Sequence, residues 1–454
     1  MRWTLFLLMA LAFAGCADSE PHPDSRMSPD EASTGTGQPS RTATATQTTA
    51  QAPAPLLAPG PVQLPGNARA FEPNIVALEG GTLLVVAIGT PDSTPATVDT
   101  NVWLWKSTDH GRSWTTLEAP DGGGATKHWS YDADLVASPD GWVYVADWWI
   151  GRNDEGQRND QVLILRSSNE GRTWQSTPAP LPPNVVLDRE YLLAGPDGLL
   201  MLFYHRHIDG PNTIEAIASH DHGATWSLPE VVVPAQEDRF PIIAHPILVD
   251  GTVVLPYGHN HHEGLHTGLR TDLRLAVQTD DGWEHRQFGY APRIGHLWPL
   301  QAAANGGHVD LVWARDDGDT MSVWMSRTPD LGRSWQDSQK VVGGGQHIMP
   351  WASAHDGVTL FSWYDARTTG STTNPDGDAY WHVRGATWNG KDLTELKATT
   401  KSVHQGPLCS MPGCDDPMRL GDYQSNAIGP DQTMYFAYAG NVDGEARVFV
   451  RAMR

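Results

Sequence analysis

The stretch Ser107-Thr-Asp109-His-Gly111-Arg-Ser113-Trp114 decides the fold, because the same eight-residue pattern returns further along the chain. The further copies are Ser167-Ser-Asn169-Glu-Gly171-Arg-Thr173-Trp174, Ser219-His-Asp221-His-Gly223-Ala-Thr225-Trp226 and Thr328-Pro-Asp330-Leu-Gly332-Arg-Ser334-Trp335. The four tryptophans stand 60, 52 and 109 residues apart, and the widest gap contains a degenerate copy, Thr279-Asp280-Asp281-Gly282-Trp283. Repeats with a period of this size are typical of propellers and other repeat arrays.

The residue types in this pattern predict a tight turn between two β-strands. The Asp or Asn at the third position caps backbone N–H groups, the glycine takes a positive φ, and the tryptophan packs beneath the turn. Four unrelated polar turns would not share one spacing. We therefore interpret the pattern as one structural element that successive units of the fold repeat.

The number of these units follows from a second repeat in the sequence. Apolar strands flank a tight turn seven times, and these turns fall at Gly80-Gly81, Asp140-Gly141, Asp197-Gly198, Asp250-Gly251, Gly306-Gly307, Asp356-Gly357 and Pro430-Asp431. Each unit then contains strand A, the tight turn, strand B, a long loop, strand C, the eight-residue turn and strand D, over about 56 residues. This predicts an all-β propeller of four-stranded antiparallel blades over residues 61–454, with seven blades favoured over six.

The last blade lacks one strand, because only Ala446 to Met453 remain as a strand after the hairpin of the seventh turn. We expect the segment from Pro61 to Leu64 to supply the missing outer strand. Such pairing closes the ring and covers a sheet edge that would otherwise be open to other chains.

Residues 1–16 have the pattern of a lipoprotein signal peptide. Met1-Arg2-Trp3 precede an apolar run, and Gly15-Cys16 ends it, so Cys16 is the expected lipidated residue. Signal cleavage at a nearby site is the alternative. Residues 17–60 are rich in Ser, Thr and Pro and predict a disordered tether. No other stretch approaches the roughly 20 apolar residues of a membrane span. We therefore expect a lipid-anchored protein of the cell envelope that faces the periplasm or the exterior.

The net charge of −22 argues against a nucleic-acid partner, because phosphate binding requires clustered Lys and Arg. We expect an extracellular glycan or glycoconjugate as the partner, contact with the membrane through the lipid only, and a monomer. Cys409 and Cys414 remain once Cys16 carries the lipid. In an oxidising compartment these two are expected to form a disulfide that closes a small loop, with two free thiols as the alternative.

The eight-residue pattern is identified as the Asp-box, and its spacing resembles that of the sialidase (neuraminidase) superfamily of BNR-repeat propellers. The resemblance covers residues 65 to 454 and is specific for fold, because Asp-boxes lie opposite the active site and occur in propellers of many functions. Sialidases of this family are six-bladed and carry a Phe-Arg-Ile-Pro stretch whose arginine helps to hold the substrate carboxylate. Here the matching stretch is Phe71-Glu72-Pro73, with glutamate in place of arginine.

Three other stretches, at residues 188–198, 349–367 and 421–431, more closely resemble uncharacterised exported proteins described as sialidase-like. The resemblance implies that, if the chain is an enzyme, it is a glycoside hydrolase of the exo-α-sialidase type.

In a propeller the start of each strand A and the end of each strand B meet on the face opposite the Asp-boxes. The residues at these positions are Asp132, Asp134, Asp188, Arg189, Glu190, Tyr191, Tyr204, His205, Arg206, His207, Arg239, Tyr257, His259, His296, Trp298, Arg315, His347, Trp351, Tyr364, Asp365, Arg367, Asp422 and Tyr423. Aromatic rings, arginines and carboxylates around a concavity favour carbohydrate binding through stacking and bidentate hydrogen bonds.

Hydrolysis of the sialidase type uses a tyrosine nucleophile with nearby carboxyl groups. The candidate catalytic residues are Tyr364, Asp365, Asp422 and Tyr423. The candidate substrate-binding residues are Arg189, Arg206, Arg239, Arg315, Arg367, Tyr204 and Trp298. Among them, we expect Arg189, Arg206 and Arg367 to form a cluster that holds an anion. The alternative for each residue is a structural role, as a turn cap or an ion pair between blades.

His262-Glu263-Gly264-Leu265-His266 matches the H-E-x-x-H pattern, which binds zinc only when a helix places both imidazoles on one side. The surrounding glycines and strands oppose a helix, so we expect no cofactor and assign no metal ligand. Metal or ligand contact by the segment from His259 to His266 stays an alternative. Asp316-Asp-Gly-Asp319 and Asp376-Gly-Asp378 do not match a complete calcium loop.

Three functions compete. The first is an exo-acting glycoside hydrolase, which requires converging arginines above a pair formed by a tyrosine and a carboxyl group. The second is a non-catalytic propeller that binds glycans or proteins, which requires no such pair. The third is a polysaccharide lyase, in which Tyr204 or His205 removes a proton beside a uronate that Arg206 neutralises.

Overall fold

The structure is a computed structural model that describes residues 57–66, 68–91, 101–117, 130–151, 155–156, 158–207, 212–236, 239–261, 270–292, 300–372, 374–408 and 420–454. The signal peptide with Cys16, nearly all of the tether, and the pair Cys409 and Cys414 lie outside these residues, so lipidation and the disulfide stay predictions. Within the described ranges, no helix is long and apolar enough to cross a bilayer.

The fold is a seven-bladed β-propeller of four-stranded antiparallel blades, which confirms the predicted architecture and selects seven blades over six. The strands of each blade are given from strand A to strand D. Blade 1 consists of Ala68–Ala77, Leu83–Pro91, Asn101–Ser107 and Thr115–Leu117, and blade 2 of Ser130–Ala137, Val143–Trp149, Gln161–Ser167 and Gln175–Pro178. Blade 3 consists of Val186–Ala194, Leu200–His207, Thr213–Ser219 and Glu230–Val233. A single 3₁₀ turn, Glu79–Gly81, occupies the A–B connection of blade 1.

In blade 4, strand A is divided into two segments that both pair with strand B. Blades 4 and 5 are Arg239–Ile243 with Ile247–Val249, Thr252–His261, Arg270–Thr279 and Gly282–Pro292; and Leu300–Asn305, His308–Asp316, Met321–Thr328 and Gln339–Val342. Blades 6 and 7 are Gln346–His355, Val358–Ala366, Tyr380–Trp388 and Leu393–Leu396; and Ser425–Ile428, Met434–Val442, Glu445–Met453 and Val62–Gln63. Blade 6 also carries the small hairpin Gly370–Ser371 with Asn374–Pro375, and the short strand His404–Gln405.

The core is divided among the blades, because each of the seven interfaces between neighbouring blades has its own cluster of buried apolar side chains. Leu83 and Tyr435 share the interface of blades 1 and 7, for example, and Val312 and Trp363 share that of blades 5 and 6. A fully buried side chain of this kind contributes about 1.5 to 3 kcal/mol. Each blade is therefore stabilised mainly by its two neighbours.

The N-terminal segment closes the ring as expected. Val62 and Gln63 pair with Val450 and Phe449 to form the outer strand of blade 7, and the N–H of Leu64 donates to Val448 at 2.9 Å. Leu64 is buried in the cluster between blades 7 and 1. First and last segments of the folded chain thus share one sheet, which removes an open edge.

The Asp-boxes have the geometry that their sequence predicts. In blade 1, Asp109 Oδ1 accepts the N–H of Ser113 at 2.9 Å, and the Ser107 hydroxyl accepts the N–H of Gly111 at 2.9 Å. Gly111 has φ +79°, and the Trp114 indole donates to its carbonyl oxygen at 3.1 Å. The degenerate copy in blade 4 is instead a tight hairpin in which residues 279 and 282 pair directly.

Candidate active site

Strand A of every blade runs from one face of the propeller towards the Asp-box face, and the seven inner strands surround a central channel of about 320 Å³. We call the face where these strands begin the open face. Small apolar side chains dominate the channel lining. Its polar and aromatic lining residues are Asn74, His245, Trp351, Ser353 and Asn426.

Three inner strands are distorted at the open face by residues that have a positive φ although none is a glycine. These residues are Glu72 at +57°, Arg189 at +61° and Met349 at +54°. The pairing register of strand A shifts at the same places. Each such conformation costs about 1 to 2 kcal/mol, and bulges of this kind redirect side chains beside active sites. Their recurrence in blades 1, 3 and 6 marks the open face as the candidate site.

Arg189 is a buried guanidinium of this face, only 2% exposed. It donates to Asp422 at 2.9 Å and to the Tyr191 hydroxyl at 3.1 Å, and it lies 3.9 Å from Asp132. Its charge also lies above the ring of Tyr423, 5.4 Å from the ring centre. The bulge therefore directs Arg189 from blade 3 towards groups of blades 2 and 7.

Tyr423, which precedes strand A of blade 7, forms a pair with Asp132 of strand A in blade 2. The Tyr423 hydroxyl lies 2.8 Å from Asp132 Oδ1 and 2.9 Å from the carbonyl oxygen of Ala133. Burial raises the pKa of Asp132 to about 6, against the opposing effects of Arg189 and of the Tyr423 hydrogen bond. Burial also raises the pKa of Tyr423, so the phenol is neutral and able to donate to a carboxylate.

A backbone contact holds the segment before strand A of blade 7 against blade 1. The N–H of Asp422 donates to Glu72 Oε1 at 2.9 Å. Gly421 permits this approach, because its φ is +86° and a Cβ there would lie 2.5 Å from Cγ of Glu72. Glu72 therefore positions Asp422, which in turn binds Arg189.

Glu190 is a buried acid beside this pair. Neither of its carboxyl oxygens has a hydrogen-bond partner from another residue within the described part of the chain. Burial raises its pKa well above the usual range, and Asp132, Asp134 and Asp147 raise it further. This environment favours the protonated form of Glu190, which is the form that can donate a proton.

The carboxylate of Asp134 contacts residues of several blades through hydrogen bonds and an ion pair. It accepts from the Asn74 amide and from the N–H of Leu192 at 2.7 Å, and it lies 3.2 Å from Nε2 of His245. Asp134 raises the pKa of His245 although burial opposes it. The N–H of His245 donates to Gln301 at 3.1 Å. Blades 1 to 5 are thereby linked at the floor of the site.

Aromatic side chains border the acidic groups. Tyr131 lies at a register shift of strand A in blade 2, is 47% exposed, and packs against Trp148 with ring centres 5.6 Å apart. Trp351 stacks on Tyr423 at 5.7 Å. An exposed ring next to carboxyl groups offers a surface on which a sugar can stack.

Of the predicted catalytic residues, the structure places Asp422 and Tyr423 at this site and the other two elsewhere. The Tyr364 hydroxyl is buried between blades and bonds the backbone of Ala439 at 2.9 and 3.0 Å. Asp365 lies 2.9 Å from buried His347 and within 4 Å of Arg367 and Arg384. Tyr364 and Asp365 therefore do not form a pair of a tyrosine with a carboxyl group, because the hydroxyl of one and the carboxylate of the other make separate contacts.

The predicted arginine cluster does not assemble among the described side chains. Arg206 donates to Glu215 at 3.0 Å, and the Tyr204 hydroxyl donates to the same carboxylate at 3.0 Å. Arg315 pairs with Asp317 at 3.2 Å and lies over the ring of Trp324. The partners named for these two arginines, and Asp365 as the partner of Arg367, differ from the Asp422, Asp132 and Tyr191 that surround Arg189. Each forms an ion pair with an acid of its own blade, which is a structural role but differs from the ion pair between blades that was the alternative.

Three further predictions fall outside what is described: the Arg239 side chain, Trp298, and the segment from His262 to His266. Positions on inner strands placed Asp132, Asp134 and Glu190 on the open face, but no pattern assigned them a role. His245 was missed because strand A of blade 4 is divided, so counting strand positions does not reach it. Asp147 and Trp148 lie near the end of strand B in blade 2 and satisfy the positional rule that identified the others.

Residues 144–363 match the model of a family described as BNR repeat-like domain. Among solved structures, a polysaccharide lyase, an ulvan lyase bound to a GlcA(1-4)Rha3S unit, is 14% identical with a TM-score of 0.52 over 86% of this chain and 95% of its own. An α-L-arabinanase of Penicillium chrysogenum, complexed with arabinobiose, is 13% identical with a TM-score of 0.46 over 87% of this chain and 98% of its own.

A sialidase of Streptococcus pneumoniae is 11% identical, with a TM-score of 0.42 over 87% of this chain and 70% of its own. No curated protein matches the chain. At these identities the similarity to the lyase shows the fold alone.

Proposed function

We propose that this chain, a member of the BNR-repeat superfamily of sialidase-like β-propellers, is an exported glycoside hydrolase whose open face takes sugars without a carboxylate. The observation that carries the proposal is the contact of the Tyr423 hydroxyl with Asp132 at 2.8 Å, beside Arg189 and buried Glu190. The expected lipid on Cys16 would hold the enzyme at the cell envelope, within reach of extracellular glycans.

The pair supplies a nucleophile with its own base. In the first step Tyr423 attacks the anomeric carbon while Asp132 takes the phenol proton. The glycosidic bond breaks, and Glu190 gives its proton to the leaving oxygen. Water then attacks the anomeric carbon while Glu190 takes a proton from that water. The bond between the Tyr423 oxygen and the anomeric carbon breaks, and Asp132 returns its proton to the released Tyr423 oxygen. Because burial raises the pKa of Tyr423, the phenol proton has to move as the new bond forms.

The charges at the site oppose an acidic sugar. Arg189 is a buried guanidinium of the open face and already binds Asp422 at 2.9 Å, with Asp132 3.9 Å away. Glu72 stands where the resemblance places a substrate-binding arginine in sialidases, and its carboxylate accepts the N–H of Asp422. An incoming carboxylate would meet these acids, and the guanidinium of Arg189, the cation that the described residues place beside them, is already paired with Asp422. Binding of a sialoside is therefore disfavoured. Neutral or amino sugars meet no such repulsion.

The aromatic border provides binding surface for such sugars. Tyr131 is the half-exposed ring nearest in sequence to Asp132, and its contact with Trp148 fixes its orientation. Sugar rings stack on aromatic faces through their C–H groups. Tyr131 is therefore the expected platform for the residue next to the bond that breaks.

A panel of fluorogenic glycosides tests the proposal on the full chain. We expect hydrolysis of neutral or amino-sugar glycosides and none of a sialoside. Tyr423→Phe should lower turnover about 10³-fold or more, because the nucleophile is lost. Tyr364→Phe is the matched control, since it removes the hydroxyl of another buried tyrosine, and it should leave turnover within a few fold.

Equal turnover in both tyrosine variants contradicts the assigned nucleophile, and release from a sialoside contradicts the charge argument. Binding without hydrolysis is the second candidate function, and the burial of Tyr423 to 3% exposure favours it. A glycan array distinguishes the two. A folded chain that binds an array sugar, yet hydrolyses no glycoside of that sugar, is a lectin-like propeller.

A further inference from the structure

Blade 3 places two imidazoles and a carboxylate on one face of two paired strands. Asp188 of strand A lies directly opposite His205 of strand B. His207 follows His205 by two residues, so its side chain lies on the same face of the strand. Side chains related in this way are neighbours across a sheet. We infer that Asp188, His205 and His207 form a binding site for a divalent transition-metal ion such as Zn²⁺.

The spacing of the donor atoms supports a shared ion. Asp188 Oδ2 lies 3.6 Å from His207 Nε2 and 3.9 Å from His205 Nδ1. The three donor atoms all lie within 4.8 Å of one another. These distances are too long for hydrogen bonds. Two ligands of one tetrahedral Zn²⁺ lie roughly 3.3 Å apart for bonds of about 2.0 to 2.1 Å. Small side-chain movements would therefore bring all three atoms onto one ion.

The surroundings hold the two imidazoles in place. Their rings meet edge to face with centres 4.5 Å apart, and Phe240 of blade 4 packs against both at 4.6 and 5.8 Å. His205 is 2% exposed, whereas the side chains of Asp188 and His207 are each 29% exposed. One side of the cluster is thus packed and the other faces solvent. An ion bound there keeps coordination positions open for water or a ligand.

The ligand types select the metal class. Two imidazole nitrogens with one carboxylate suit Zn²⁺ and similar ions, whereas Ca²⁺ and Mg²⁺ prefer all-oxygen sites. Three protein ligands with an open position are the arrangement of a reactive site more often than of a structural one. The cluster adjoins Arg189 in the chain and lies at the border of the open face. The inference is independent of the proposed hydrolysis, because it concerns metal binding alone.

Metal titration of the full chain tests the inference. After removal of metals with a chelator and dialysis, Zn²⁺ is titrated by calorimetry and Co²⁺ by its visible absorption. We expect one ion per chain and a Co²⁺ spectrum with nitrogen ligands. His207→Ala and Asp188→Asn should weaken binding about 100-fold or more, since loss of a ligand exceeds the 10- to 100-fold effect of losing a second-sphere contact.

Two control variants separate this site from other histidines. His355→Ala removes a partly exposed imidazole that lies 3.5 Å from the Asp356 carboxylate, and it should bind Zn²⁺ like the unmodified chain. His262→Ala tests the H-E-x-x-H segment. Near-ultraviolet circular dichroism of the 19 tryptophans verifies folding of each variant. Absence of Zn²⁺ and Co²⁺ binding by the folded chain overturns the inference. So does unchanged affinity in His207→Ala, or loss of binding in His262→Ala alone.

Discussion

Replacing Asp147 with asparagine tests the electrostatics of the open face without any substrate. Asp147 lies two residues before the end of strand B in blade 2, and its Oδ1 is buried without a hydrogen-bond partner among the described residues. Burial raises its pKa from 3.8 to about 7, and a hydrogen bond from Ser130 only partly opposes this. The folded chain therefore retains a proton on Asp147 between about pH 4 and pH 7, where the unfolded chain has lost it.

This difference in bound protons makes the stability of the chain depend on pH. Because the folded state binds more protons, the free energy of unfolding of the unmodified chain falls as pH rises through this window. Because the pKa rises from 3.8 to about 7, the free energy of unfolding falls by about 4 kcal/mol once the pH has passed through the whole window, at 1.36 kcal/mol per pH unit. Asparagine has nearly the same shape and does not ionise. Asp147→Asn should therefore match the unmodified chain near pH 4 and be more stable by up to about 4 kcal/mol near pH 8.

Urea denaturation at pH 4, 6 and 8, followed by tryptophan fluorescence, measures the difference. Asp443→Asn is the matched control, because Asp443 is exposed in a turn with φ +52°, a conformation that asparagine also adopts. This control should change stability by less than about 0.5 kcal/mol at any pH. A difference between Asp147→Asn and the unmodified chain that stays constant from pH 4 to 8 would refute the reasoning.

Three further predictions concern the ring and the reaction. Leu64→Ala should lower the free energy of unfolding by about 2 to 4 kcal/mol in urea denaturation, because truncation of this buried side chain leaves a cavity where the ring closes. Gly385→Ala should cost about 1 to 3 kcal/mol, since its Cβ would lie 2.7 Å from the Phe361 carbonyl oxygen, whereas Gly289→Ala, with nothing within 4 Å, should be neutral. Hydrolysis should rise with pH through about 6 as Asp132 loses its proton, and a pH–rate profile without that limb contradicts its role as base.

The architecture could be predicted because its signals are local and periodic. The Asp-box of Asp109 and Trp114 closes within eight residues, so its capping bonds and its glycine follow from the sequence of that segment alone. The closing strand at Val62 was predictable for a different reason. Counting strands leaves the last blade incomplete, and an open edge is unfavourable.

The sequence could predict on which face of the propeller the candidate site lies, but not which residues of that face contact one another. Periodicity places Asp132, Arg189 and Tyr423 at the starts of strands. Asp132 and Arg189 do lie there, and Tyr423 lies two residues before strand A of blade 7. Periodicity does not say which tyrosine meets which acid. Tyr364 and Tyr423 each stand next to an aspartate in the sequence, yet the hydroxyl of the first bonds the backbone of Ala439 and that of the second reaches Asp132.

The sequence by itself therefore determined the propeller, its seven repeats, its Asp-box turns and its closure, since each depends on residues close in the chain or on a count of repeats. Only the tertiary structure decided the site. Tyr423 and Asp132 are 291 residues apart, and Arg189 and Asp422 are 233 apart. Their contacts depend on ring closure and on bulges at Glu72 and Arg189, where strained backbone is maintained by packing that no local pattern records.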